Sequence, residues 1–210
     1  MRVAVLGEAN WDQPLRDLDA VCALARANVT IRPLSAARGM QEAMLIPLDH
    51  DRFAITVDPE PTGGWSSLPS RLRDEVYRHR MRFRVCHELG HTFTYWRRGK
   101  VPARHLLDSP RQEAFCDAFA RALLVPAPVA AATSFSPGGV LRLHRRHDVS
   151  LEVAARAMAS AHRRRVALWF APPGRDELSL QWASAPVSDA DRRRPEARWL
   201  PARRQLLLCG

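Results

Sequence analysis

The chain has 210 residues, 46% of them hydrophobic, enough for one large domain with a sizeable core. No apolar run approaches the roughly 18–20 residues a membrane span needs, and the stretch from Met1 to Leu6 is too short for a signal peptide. The formal net charge is +10 and almost all of it is arginine, with Lys100 the only lysine; spread along the whole chain, it reads as codon bias before it reads as a nucleic-acid footprint.

Residues 11–28 read as an amphipathic helix, with Leu15, Leu18, Val21, Cys22 and Ala25 at three- and four-residue spacing. Short strands follow at Val29–Leu34, Met44–Leu48 and Phe53–Val57, the last two joined as a hairpin by Asp49-His50-Asp51. Asp58–Pro69, with three prolines and a Gly-Gly, is a loop. A helical pattern runs from Arg71 to about Trp96, with a break near Arg78, and ends at Gly99 and Pro102. The next helix is expected at Pro110–Leu124, capped by Ser109 and stopped by Pro126 and Pro128. Two shorter helices, Gly139–Arg146 and Leu151–Arg163, flank Asp148-Val149-Ser150, with Ser150 as the cap. Val166–Phe170 and Leu178–Trp182 read as a β-hairpin about Pro172-Pro173-Gly174, and the Arg-, Pro- and Ala-rich last 25 residues as a poorly ordered basic tail. The expected class is α+β. The expected divisions are a core at 1–128, a helical subdomain at 129–165, and the hairpin and tail at 166–210.

His87 and His91 stand four residues apart in a helical stretch, so both imidazoles share one face and can hold one ion. Glu88 follows His87 and can reach a metal-bound water. A catalytic zinc usually takes three protein ligands, and the third candidate is Glu113 on the following helix. Asp117, four residues on, shares its face and is placed to hold a ligand imidazole by its other N–H.

The segments Arg82–His91 and Glu113–Pro126 resemble the ImmA/IrrE family of metallopeptidases, which pairs an H-E-L-G-H helix with a later "Glu … Phe-Ala … Leu-Leu-Met-Pro" helix. The resemblance covers roughly Phe53 to Ala159. It implies His87, His91 and Glu113 as zinc ligands, Glu88 as the catalytic glutamate, and a zincin-like core with a short sheet beside the active-site helix and a helical subdomain after it. Val125 stands where the family commonly has Met, Cys116 where Ala is frequent, and Tyr95 where many members carry a further His.

The expected chemistry is peptide hydrolysis in which Glu88 takes a proton from a zinc-activated water and passes it to the leaving amine. Tyr95, one turn beyond His91, and His105 are the candidates to assist at the oxyanion. Phe53–Val57 is the strand offered as an edge for an extended substrate. Four cysteines, at 22, 86, 116 and 209, form no C-x-x-C pair, which fits a reducing, cytoplasmic setting. Cys86 and Cys116 flank the metal motifs and read first as small buried residues, with a thiolate ligand or redox switch as the alternative.

By resemblance, the partner is a protein substrate, a helix-turn-helix (XRE-type) repressor cut in a stress or mobile-element response. The basic helix pair around Asp148-Val149-Ser150 carries a second reading, direct DNA contact by a non-catalytic zinc-containing regulator. A toxin–antitoxin component is a third.

Overall fold

A computed structural model of the protein describes residues 18–24, 27–31, 43–48, 52–58, 70–98, 110–171, 178–193, 197–200 and 205–209. The Asp49–Asp51 turn, the loop after Asp58, Ser109, the Pro172–Gly174 turn and the first part of the expected 11–28 helix lie outside them. The fold is mixed α and β, and the chain divides into two compact units, Met1–Leu124 and Val125–Gly210.

In the first unit, α1 (Leu18–Leu24) is followed by β1 (Ala27–Ile31), β2 (Ala43–Pro47) and β3 (Phe53–Val57). The expected helix overruns here, because Ala27 and Asn28 already belong to a strand. The sheet order is β1-β3-β2, with β1 parallel and β2 antiparallel to β3. β3 carries the β-branched Ile55, Thr56 and Val57 and is buried at four of its five positions, as a strand flanked on both sides should be. The β2–β3 hairpin forms as expected, closed by the Leu48 N–H donating to the Arg52 carbonyl at 2.9 Å. β3 is therefore the middle strand, with β1 and β2 on the outside among the described residues; the expectation of Phe53–Val57 as a substrate-binding edge is corrected.

α2 (Ser70–Arg98) is one continuous helix of 29 residues. The expected break near Arg78 is absent, since a run of charged side chains interrupts the apolar pattern without removing any backbone hydrogen bond. α2 packs on β2, β3 and α3 (Pro110–Leu124). α3 opens on Pro110 and buries Cys116, Ala120, Leu123 and Leu124, the stripe of a 3.6-residue period.

In the second unit, α4 (Ala127–Ala132), α5 (Pro137–His147) and α6 (Leu151–His162) precede β4 (Val166–Phe170), β5 (Ser179–Ala183), a 3₁₀ turn (Asp189–Arg193), β6 (Arg198–Leu200) and β7 (Gln205–Cys209). Ser136 and Ser150 cap α5 and α6, accepting from Gly139 N–H at 3.1 Å and Val153 N–H at 3.2 Å. Asp148 ends α5 in the left-handed conformation at φ 51°. Gly139 is the tightest point. A Cβ there would overlap the Ser134 carbonyl oxygen and lie 3.0 Å from Met158 Cε. Gly139→Ala is expected to lower stability by about 1–3 kcal/mol or more, read as a lower denaturation midpoint at unchanged m-value.

The four-stranded sheet runs β5-β4-β7-β6, entirely antiparallel. β4 and β5 pair as the expected hairpin, but the tail is corrected: β7 is an inner strand, with Leu206, Leu207, Leu208 and Cys209 buried. One face holds Ala167, Trp169, Leu206 and Leu208, covered in part by Leu178, Ala183, Val187 and Ala197. α6 packs against β4, so helices and sheet form one unit and 165/166 is not a boundary. Sequence reading missed β7 because prolines and arginines surround a segment only five residues long.

Candidate metal centre

The site lies in the first unit, where α2 faces α3. The helical period brings His87 and His91 to one side of α2, their ring centroids 5.0 Å apart. The Nε2 atoms of the two rings are 3.3 Å apart. Glu113 faces both, with Oε2 3.1 Å from His87 Nε2 and Oε1 3.4 Å from His91 Nε2. Bonds of about 2.0–2.1 Å to a small divalent cation would put the corners of a tetrahedral shell about 3.3–3.4 Å apart. Two imidazoles and one carboxylate thus converge at the separations of a ligand set, and these residues can hold a metal ion.

Each imidazole is held from behind by a residue of α3. His87 Nδ1–H donates to Asp117 Oδ1 at 2.9 Å, which fixes the proton on Nδ1 and turns Nε2 toward His91 and Glu113. Burial pulls the His87 pKa down, but the Asp117 hydrogen bond and the charges of Glu88, Glu113 and Asp117 outweigh it and leave it raised. The same hydrogen bond holds the Asp117 carboxyl below its ordinary value against the opposing effect of burial, helped by the charges of His87, Arg121 and Arg84. A proton or a metal cation satisfies the same arrangement, because either places positive charge between Nε2 and the carboxylate. Asp117→Ala is expected to weaken metal affinity about 10–100-fold, measured by competition with a chromophoric chelator.

Gln112 is the residue the sequence did not single out. Its side-chain amide lies 3.1 Å from His91 Nδ1. Turned one way the amide donates to a bare Nδ1; turned the other, its oxygen accepts from Nδ1–H, the tautomer that leaves Nε2 free to ligate. The available signal was position: Gln112, Glu113, Cys116 and Asp117 fall on the two turns of α3 that meet α2.

Glu88 is 7% exposed, and the Leu45 N–H donates to its carboxylate. That amide is available because, among the described residues, β2 pairs on one side only. Leu45 pairs with Ile55 at the same parity as Pro47 with Phe53, and a proline has no N–H to give the neighbouring strand. Burial pushes the Glu88 carboxyl up to about 7, opposed by His87, the Leu45 hydrogen bond and Arg84, and reinforced by Glu113. The Tyr95 side chain and His105, the two candidates to assist at the oxyanion, lie outside the described residues.

No family model matches the chain, and no curated protein matches it.

Cys116 lies close to both histidines and is fully buried. It approaches because position 90 has no side chain: a Cβ on Gly90 would sit 3.0 Å from Cys116 Cα and 3.1 Å from its Sγ. Burial, then the charges of Glu113, Glu88 and Asp117, push its thiol up to about 12. Cys86 is also buried, its thiol pushed up chiefly by desolvation. On a helix it is rotated about 100° from His87, off the ligand face.

In the second unit, two arginines of the basic helix pair make contacts within the protein, while Arg145 and Arg146 are exposed. Arg156 is engaged by Glu152 at 2.8 Å and lies 4.6 Å over the Trp182 ring. Arg142 donates to the Ser134 hydroxyl. No helix among the described residues is long and apolar enough to cross a membrane.

Proposed function

We propose that this chain is a zinc-dependent endopeptidase with His87, His91 and Glu113 as the ligands and Glu88 as the proton carrier. The observation that carries this reading is the meeting of two imidazole nitrogens and one carboxylate within 3.1–3.4 Å, with a separate buried carboxyl one residue from the first ligand. Zinc is the metal this His₂Glu set fits best, and when bound it supplies Lewis acidity to a water and to the scissile carbonyl.

The protein's own residues divide the remaining work. Asp117 and Gln112 hold the two rings in the orientation that presents Nε2. Glu88 takes a proton at its carboxylate and returns it to the leaving amine, and its buried place one residue from His87 suits both transfers. Leu45 N–H fixes the carboxylate between them. Among the described residues β2 is an outer strand of its sheet, and an extended peptide would add along it beside the Leu45 amide that Glu88 occupies.

The zincin-like core and the substrate class follow from the resemblance to the ImmA/IrrE family: the proposed substrate is a helix-turn-helix repressor protein. The ligand set is tested by the metal content of the purified chain. The wild type is expected to retain about one zinc ion per chain after dialysis, and Glu113→Ala substantially less. Unchanged stoichiometry in the variant removes Glu113 from the set.

A further inference from the structure

The metallopeptidase reading leaves Cys116 without a task, although its position is specific. It stands three residues after Glu113 on α3, so both side chains lean toward α2, Glu113 at the half-exposed mouth of the site and Cys116 at its floor. Cys116 Sγ and one ring nitrogen from each of His87 and His91 all lie within 4.8 Å of one another. The contact with Gly90 is what lets the sulfur come so close.

The same two imidazoles therefore face two different third ligands supplied by one helix. A carboxylate is a hard donor and a thiolate a soft one, and they select different cations. We propose that His87, His91 and Cys116 form a second metal-binding mode of this site, one that takes thiophilic cations such as Cd²⁺. It rests on the reading of His87 and His91 as a metal-binding pair. In this mode the S–H bond breaks, an S–metal bond forms, and the thiol proton leaves to solvent. Glu113 is then dispensable, and the ion sits deeper between the helices than one held by Glu113.

The experiment uses the full chain, titrated with Cd²⁺ or Co²⁺ and followed by sulfur-to-metal charge-transfer absorption in the near ultraviolet. The band is expected in the wild type, retained in Glu113→Ala and lost in Cys116→Ser. Cys22, Cys86 and Cys209 remain in that variant, so its loss is specific to Cys116. Zinc binding by Cys116→Ser is expected to persist through His87, His91 and Glu113, which also shows that the variant is folded. Cys116→Ala, the smaller replacement beside Gly90, provides a second test of the same loss. Metal bound by the wild type without the band, or an equal band in both cysteine variants, overturns the second mode and leaves the peptidase reading standing. No metal bound by any of the proteins overturns both.

Discussion

Glu88→Gln is expected to bind zinc as tightly as the wild type and to cleave its protein substrate about 10²–10⁴-fold more slowly, the usual contribution of a positioned acid–base group. Glutamine has the same shape, and its amide oxygen can still accept from the Leu45 N–H, so the packing against β2 is kept. What is lost is a group that can take up and release a proton. Glu88 is held by the Leu45 N–H and Asp117 by His87 Nδ1–H, so the two carboxylates have different partners and can be tested by separate mutations. The measurement pairs metal stoichiometry with a cleavage time course on a candidate repressor. Cleavage by the variant at the wild-type rate would sink the mechanism. Loss of zinc from the variant would instead make Glu88 a ligand.

Removing residues 205–210 is expected to unfold the second unit rather than to trim a tail. β7 pairs with β4 along five residues and with β6 along three. Its Leu206, Leu207 and Leu208 are 7%, 0% and 2% exposed, on both faces of the sheet. Cutting one such side chain back to alanine typically costs about 2–5 kcal/mol, so losing three together approaches the whole stability of an ordinary domain, about 5–15 kcal/mol. Trp169 and Ala167 would lose Leu206 and Leu208, their neighbours in the same cluster, and β4 would gain an open edge. The check is thermal unfolding by circular dichroism of the chain ending at residue 204, beside the milder Leu207→Ala. The single substitution is expected to lower stability by about 2–5 kcal/mol with the fold retained. A truncated chain that melts like the full one would mean that β7 contributes nothing to the unit.

The candidate site was legible in the sequence because its determinants are local. His87 with His91, and Glu113 with Asp117, each lie four residues apart, and a helix converts that spacing into a shared face without help from the rest of the fold. The same holds for Ser150, whose capping role depends only on the first turn of α6. The pairing of α2 with α3 could be expected, but its atomic consequences could not. That Gln112 reaches His91, that Leu45 lends its N–H to Glu88, and that Cys116 slides under both histidines past Gly90 all depend on how two helices and an edge strand approach one another.

Strand order is the plainest case. β3 reads as a good strand in any sheet, yet its place between β1 and β2 was decided by a parallel pairing with a segment 26 residues earlier. β7 carries five residues whose leucines have no period of their own; they become a strand because β4 offers them an unpaired edge with an apolar face on either side. The sequence by itself therefore determined the shared faces of His87 with His91 and Glu113 with Asp117, the helix caps and the hairpins, where i to i+4 geometry and turn chemistry suffice. Tertiary structure alone decided which outer strand lies beside the site, what holds the His91 imidazole, and that Leu206–Cys209 are core, because those depend on contacts between segments far apart in the chain.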